Sequence, residues 1–416
     1  MRTIVRQLRK LRRDITGNVL IVAGIGTSAL VGAAGVGVDT VQWYLWKRQL
    51  QQAADSGALA GAFSIHGGTA YQQPARDELG RNFTGTYAEE ILRNPPATGS
   101  FAGDAQAVEV VVSTTRRLPF SSLFLASPPV IRVRSVAASV ADGEYCVISL
   151  ASSGTGVTVQ GSAQVDLGCG TSANSPDGIA VDLSGSSLLK SNPVSAVGGI
   201  DYAAGNVQAG TTMLPFGLKV EDPLASRMLA VPGGLACTGQ SGRVQPKEEV
   251  TLNPGRFCSG MDLKGDVTLS PGVYVIDGDS LTINSGAKVT GEGVTFVLTG
   301  SSPTSIATVS INGGADVDIS APTTTQDATW AGILFFQDPA GPATHSINGG
   351  ADLRFEGIVY MPTGDLSFSG GSTQKADCLL LVTNTVKFTG SSGLGNNCDS
   401  SMNPPPSPAR IIRVVE

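Results

Sequence analysis

From Ile15 to Val38 the chain runs for 24 residues without a charged side chain. As a helix at about 1.5 Å per residue this run would measure about 36 Å, enough to cross a hydrocarbon core of about 30 Å. Beyond Asp39 the apolar pattern narrows but does not stop. Trp46, Leu50, Ala53, Ala54, Gly57 and Gly61 follow at intervals of three and four, a stripe on a helix that reaches about Phe63. Trp43, Tyr44 and Trp46 stand where an aromatic belt belongs, and Gly67-Gly68 is expected to end the helix. The pattern predicts one long helix, half in lipid and half packed on a soluble domain.

A small α+β unit is expected next. Residues 74–93 have helical composition behind Pro74, and Val108–Val112 and Val130–Arg134 read as strands. The stretch LPFSSLFLASPP between them reads as a turn or helical cap. From Cys146 onward, short β-prone runs alternate with Gly/Ser/Asn turns. The heptapeptide SINGGAD at Ser310–Asp316 recurs letter for letter at Ser346–Asp352. Looser copies stand at Val159–Ser162, Leu183–Ser186, Phe368–Gly371 and Phe388–Ser391. Repeats spaced by 20 to 36 residues imply stacked supersecondary units. The expected form is a parallel β-helix, with an apolar side chain inward and a glycine corner after it. The fold class is therefore mainly β: a C-terminal β-helix or solenoid, preceded by a long transmembrane helix and a small α+β domain.

Composition supports this division. Charged residues are 15% of the chain, aromatics 6%, and glycines number 53 of 416. Many small strands with glycine turns suit such a chain better than one bulky α/β core. The first thirteen residues hold six basic side chains and no acid; the remainder has 22 basic against 34 acidic residues, a balance of −12. An acidic body argues against nucleic-acid binding. Basic residues before the apolar run place the N-terminus in the cytoplasm and the body outside. The run is longer than the apolar region of a cleaved signal peptide, about 7–15 residues, so a retained anchor is expected.

The six cysteines contain no C-x-x-C pair. They fall into sequence-local couples Cys146/Cys169, Cys237/Cys258 and Cys378/Cys398, separated by 23, 21 and 20 residues, about one turn of the expected solenoid. An exported body would permit three bridges, although six cysteines allow about 15 pairings; the alternative is six buried free thiols. Within the apolar run, Gly24, Ser28 and Gly32, and likewise Ala29, Ala33 and Gly37, recur every four residues. Small residues at that spacing let a second helix approach in lipid; the alternative is a glycine-rich span without a partner.

Three motifs suggest chemistry. Gly278-Asp279-Ser280-Leu281 matches the nucleophile block of GDSL-type hydrolases, but a serine nucleophile needs a base. That family places an aspartate three residues before its histidine; Pro342 stands there before His345, and His66 lies near the end of the anchor helix. Asp182-Leu183-Ser184-Gly185-Ser186 matches the start of a von Willebrand A metal site, yet no long alternating helices follow. Asp316, Asp318 and Asp352 would come together if the repeats stack, giving the clustered acids that a polysaccharide lyase or hydrolase needs. Solvated solenoid turns explain all three, so no enzyme activity, cofactor or metal is expected.

Several stretches together resemble the TadG-like proteins of Tad/Flp pilus assembly. Residues Gly17 to Ala62 are similar to the Tad domain: a small-residue span, Asp39, and the block Leu50 to Ala62, with Gln51 and Asp55. The stretches Glu144–Ser175, Leu252–Phe296 and Cys378–Cys398 also resemble that family. One departure concerns processing. Type IV-like prepilins carry a glutamate five residues after the cleavage glycine; after Gly17 that place holds Val22. Peptidase processing and incorporation as a major subunit are not expected.

The expected organisation is a basic cytoplasmic segment (1–14), a transmembrane helix (15–38, with the Tad domain over about 17–63), an extracytoplasmic helix and α+β domain (39–142), a β-solenoid (143–400) and a proline-rich tail (401–416). The resemblance implies a single-pass bacterial inner-membrane protein with its body in the periplasm or at the cell surface. It would support adhesion and biofilm formation. Its partners would be pilins or other pilus-assembly proteins, met through the N-terminal helix, with envelope or surface polysaccharide as a further contact. The alternatives are a carbohydrate-active β-helix enzyme and a von Willebrand A-like metal-dependent adhesion protein.

Overall fold

A computed structural model describes residues 18–227, 229–348, 352–370, 373–376, 378–390, 393–396 and 407–416. The basic N-terminal segment, Cys398 and the prolines at 404–406 lie outside the described residues. Strands make up 41% of the chain, and it divides into two units. The first takes the residues up to Val140 together with Ile412–Glu416; the second is Ala141–Ile411.

In the first unit α1 spans Asn18–His66 and α2 spans Gln72–Asn82. Strands β1 (Glu89–Arg93), β2 (Ala107–Thr115) and the first half of β3 (Val130–Ser149) pair antiparallel in that order, with Leu92 opposite Val110 and Val110 opposite Ser135. From Ile21 to Gln49 most of α1 is exposed, and the window of mean hydropathy 1.8 lies near the N-terminus. From Leu50 onward Ala53, Ala54, Ala58 and Ala62 are buried against Leu79, Phe83, Val108, Val110, Val112, Ile131 and Val133. Alternation along β2 puts its even-numbered valines under the helix.

One sequence expectation needs correction here. Residues 89–93 are a strand, not the end of a helix. Helix α2 stops at Asn82, Phe83 turns extended and is buried, and Glu89–Arg93 finds its backbone partners on β2. The chain's last residues join the sheet of the first unit. Val136 donates to Glu416 O at 2.7 Å and accepts from Val415 N at 2.8 Å, which adds the C-terminus to β3.

In the second unit the strands form three parallel ladders. In the first, Val244, Leu263, Ile283, Ile311, Ile347, Phe368, Phe388, Val159, Leu183 and Tyr202 stand in one column. In the second, Val250, Val267, Val289, Val317 and Leu353 do so, and the register continues through Gln374 and Leu394 to Val165 and Leu189. In the third, Tyr274, Phe296, Phe335, Val359, Leu381, Val147, Thr171 and Val194 are successive partners. The chain visits the ladders in turn, as in Met261–Leu263, Asp266–Leu269 and Gly272–Asp277. In-register stacking places like on like: the rings of Tyr274, Phe296 and Phe335 follow one another at 5.6 and 5.3 Å, and Phe257, two positions out of that register, still stacks on Tyr274 at 6.1 Å. The asparagines of the two SINGG copies extend an amide ladder to a third turn, Asn348 to Asn312 to Asn284 of Thr282-Ile283-Asn284, ending on Asp262.

The corners explain the glycines of the looser repeats. Gly370, Gly390, Gly161 and Gly185 all have φ between 71° and 75° and stack directly. A Cβ on Gly185 would stand 2.9 Å from Gly161 O, so both conformation and space call for glycine.

The order of the turns along the stack is not their order in sequence. The chain enters at Tyr145–Ser149 and winds out through the Val159, Leu183 and Tyr202 turns. It then reappears at Arg243–Val244, the opposite end of the first ladder, and winds back until Cys378–Phe388 pairs beside Val147 and Val159. Residues 215–227 and 229–242 therefore travel the length of the stack. Val220 exchanges two hydrogen bonds with Asn174, at 2.8 and 2.9 Å. Asp222 accepts from Tyr360 Oη at 2.7 Å, Arg227 donates to Ala331 O and Thr329 O, and Cys237 bonds to Cys258. Those anchors succeed one another along the third ladder.

Candidate functional site

Small residues along α1 are the starting point. A Cβ on Gly57 would lie 3.0 Å from Leu79 Cγ, and one on Gly61 2.9 Å from Val108 Cγ1. Glycine at these positions lets α2 and the sheet close on the helix. Gln51 adds a polar link: its Nε2 donates to Asp55 Oδ1 at 2.8 Å and to Arg134 O at 3.1 Å. The Leu50–Ala62 block is thus the seat of the α+β domain.

Asp39 holds a different element. Its side chain is buried although it follows the uncharged run, and it accepts from Phe120 N, from Ser121 N and from Ser121 Oγ. Ser121–Leu123 is a single 3-10 turn, so the carboxylate satisfies amides at the start of that turn. One helical turn earlier, a Cβ on Gly35 would strike the Phe120 ring at 2.5 Å. Further along the helix, Arg116 lies over the Trp46 ring at 5.2 Å and Lys47 over Trp43 at 5.4 Å. Gly35 and Asp39 thereby dock the loop between β2 and β3 on the N-terminal half of α1.

A partly exposed ion cluster around the buried Glu109 ties the C-terminus to the same sheet. Glu109 is buried and accepts from Arg134 Nε at 2.6 Å, while Arg134 also pairs with Glu416. Arg134 holds the Glu416 side-chain carboxyl below its usual range, with Ser100 N–H as a further donor.

The other sequence candidates fall elsewhere. Gly24, Ser28, Ala29, Gly32, Ala33 and Gly37 are exposed, and Ser28 donates back to Gly24 O within the helix. Cys146–Cys169 and Cys237–Cys258 are disulfides, with Cα separations of 5.9 and 5.7 Å. The pairing of Cys378 with Cys398 lies outside the described residues. Ser280 contacts Thr282 Oγ1 at 3.1 Å on an outward position, whereas His345 shares the inward row of Leu281 and Val309. The imidazole is wholly buried, with Val309 N donating to Nδ1 and Nε2 facing Gln337 Oε1 at 2.8 Å. Burial pushes its pKa down to about 4. Asp182 lies on the ladder strand Val181–Leu183, and Ser184 N just beyond it donates to Val159 O. Asp316 and Asp352 are register partners, but Asp318 faces Arg354, and no cluster of three potential ligands occurs among the described residues.

Sequence reasoning missed Gly35, Arg116, Phe120, Ser121 and Arg134. The reading of LPFSSLFLASPP as a turn or helical cap agrees with the 3-10 turn at Ser121–Leu123, but nothing in that short, aperiodic run pointed to its partners on α1. No curated protein and no solved structure matches the chain. Residues 17–64, the helix that carries Asp39, Gln51 and Asp55, match the Tad family model (Flp pilus-assembly TadE/G-like), so the chain bears a Tad domain at its N-terminus.

Proposed function

We propose that this chain is a membrane-anchored structural protein of Tad pilus assembly, with its body outside the cytoplasm. The Tad match on α1 carries the reading. The helix's exposed apolar half fits single-pass anchoring, and its small-residue half is the spine of a folded domain. The three ladders of the second unit close into a parallel β-helix in this account. The role is mechanical, with no catalysis: the small-residue face of α1 meets pilins or other assembly proteins, and the β-stack contacts pilus components or envelope polysaccharide in adhesion and biofilm formation.

Fractionation tests the anchoring, and pilus preparations test the partnership. The full chain should resist alkaline extraction from membranes, and an epitope inserted between Gly233 and Gly234 should be reachable in spheroplasts. The chain should co-purify with pilus-assembly components. Release of sugars from envelope polysaccharide by the purified chain would instead favour a carbohydrate-active enzyme.

A further inference from the structure

We propose that residues 119–125 form a second membrane contact, a lipid-inserting loop pinned to the end of the anchor helix. Leu123 is 75% exposed, Phe124 85% and Leu125 51%, and Phe120 beside them is partly exposed. Three large exposed apolar side chains in a row, with Phe120 beside them, make an apolar patch. Between Arg117 and Arg132 the chain has no charged residue.

The place of this patch on α1 selects the occupant. The Phe120 ring rests on Gly35, inside the uncharged run, and Asp39 fixes the loop backbone at the end of that run. Exposed apolar residues of α1, among them Val31, Val36, Val38 and Val41, occupy the same stretch of helix. Arg116 covers Trp46 farther out; eleven residues separate Gly35 from Trp46, about 16 Å along the axis. Apolar loop tip, then arginine and tryptophan, is the order of hydrocarbon and headgroup in a bilayer. Arg116, Arg117, Lys47 and Arg48 supply the positive charge that lipid phosphates would meet. Asp39 acts as the positioning residue: by taking the loop's amides it replaces the water they would otherwise need at the lipid boundary.

This inference rests on α1 crossing the membrane, and the test separates the two. The full chain, labelled with an environment-sensitive fluorophore at Phe124→Cys or, separately, at Val31→Cys, is placed in vesicles of phosphatidylethanolamine and phosphatidylglycerol. Nitroxides on the lipid chains report depth, and iodide reports water. The proposal expects both probes to be quenched by lipid nitroxides and shielded from iodide, with position 124 quenched most by the shallow nitroxide. A probe at 124 quenched by iodide while 31 is quenched by lipid would overturn the loop and leave the anchor standing. A probe at 124 shielded from both quenchers would show that protein covers the patch, which also overturns it. Iodide quenching at both positions would remove the anchor as well.

Discussion

A buried imidazole next to a buried amide is a structural device with a pH signature. His345 is held neutral by burial, with its pKa near 4 against about 6.5 in an unfolded chain. The unfolded state therefore binds the proton first. The stability this residue contributes is complete above pH 6.5 and declines as the pH falls towards 4. At pH 5 the loss is about 2 kcal/mol. Denaturant midpoints at pH 7.5 and 5 should differ more in the natural chain than in His345→Gln; equal differences would contradict the assignment. Asp39 makes a second prediction. In Asp39→Ala the amides of Phe120 and Ser121 should exchange several-fold faster in the intact protein, because their acceptor is gone. Residue letters alone were a poor guide to such roles. The GDSL run reads as a nucleophile block, yet strand alternation turns Ser280 outward and His345 inward, and only the register decides that.

At the scale of elements, α1 was legible because its two halves write different patterns: an uncharged run, then small residues at intervals of three and four. The tight packing at Gly57 and Gly61 gives the second pattern its reason. Gly61→Leu should therefore destabilise the first unit by about 1–3 kcal/mol in chemical denaturation. Gly24→Leu, in open space, should change it by no more than about 0.5 kcal/mol. The strand β1 was not legible, since Glu89-Glu90-Ile91-Leu92-Arg93 has good helix formers and becomes a strand through its pairing with β2. The Asp39 loop was hidden for another reason: an isolated apolar run has no period, and its partner on α1 lies 81 positions away in sequence.

For the whole molecule, copies of SINGGAD and separations of 20 to 23 residues between cysteines were enough to suggest stacked turns. Ser310 does face Ser346, and Ile311 faces Ile347. The path through the stack left no such trace. Nothing in residues 215–227 and 229–242 announces that they carry the chain from one end of a ladder to the other; that emerges only from the pairing of Val159 with Phe388. Disulfides secure this layout, one joining the entry turn to its neighbour and one fastening the end of the crossing segment. A crosslink closing a loop of this length contributes about 3 kcal/mol when unstrained. Reductant should thus lower the thermal midpoint of the purified chain, and an unchanged midpoint would speak against the bridges. The central claim, that the Tad helix ties this body to pilus assembly, is tested most directly by counting pili on cells lacking the chain. Piliation should fall and be restored by the full chain but not by one without residues 18–38. Undiminished piliation in the deletion strain would contradict it.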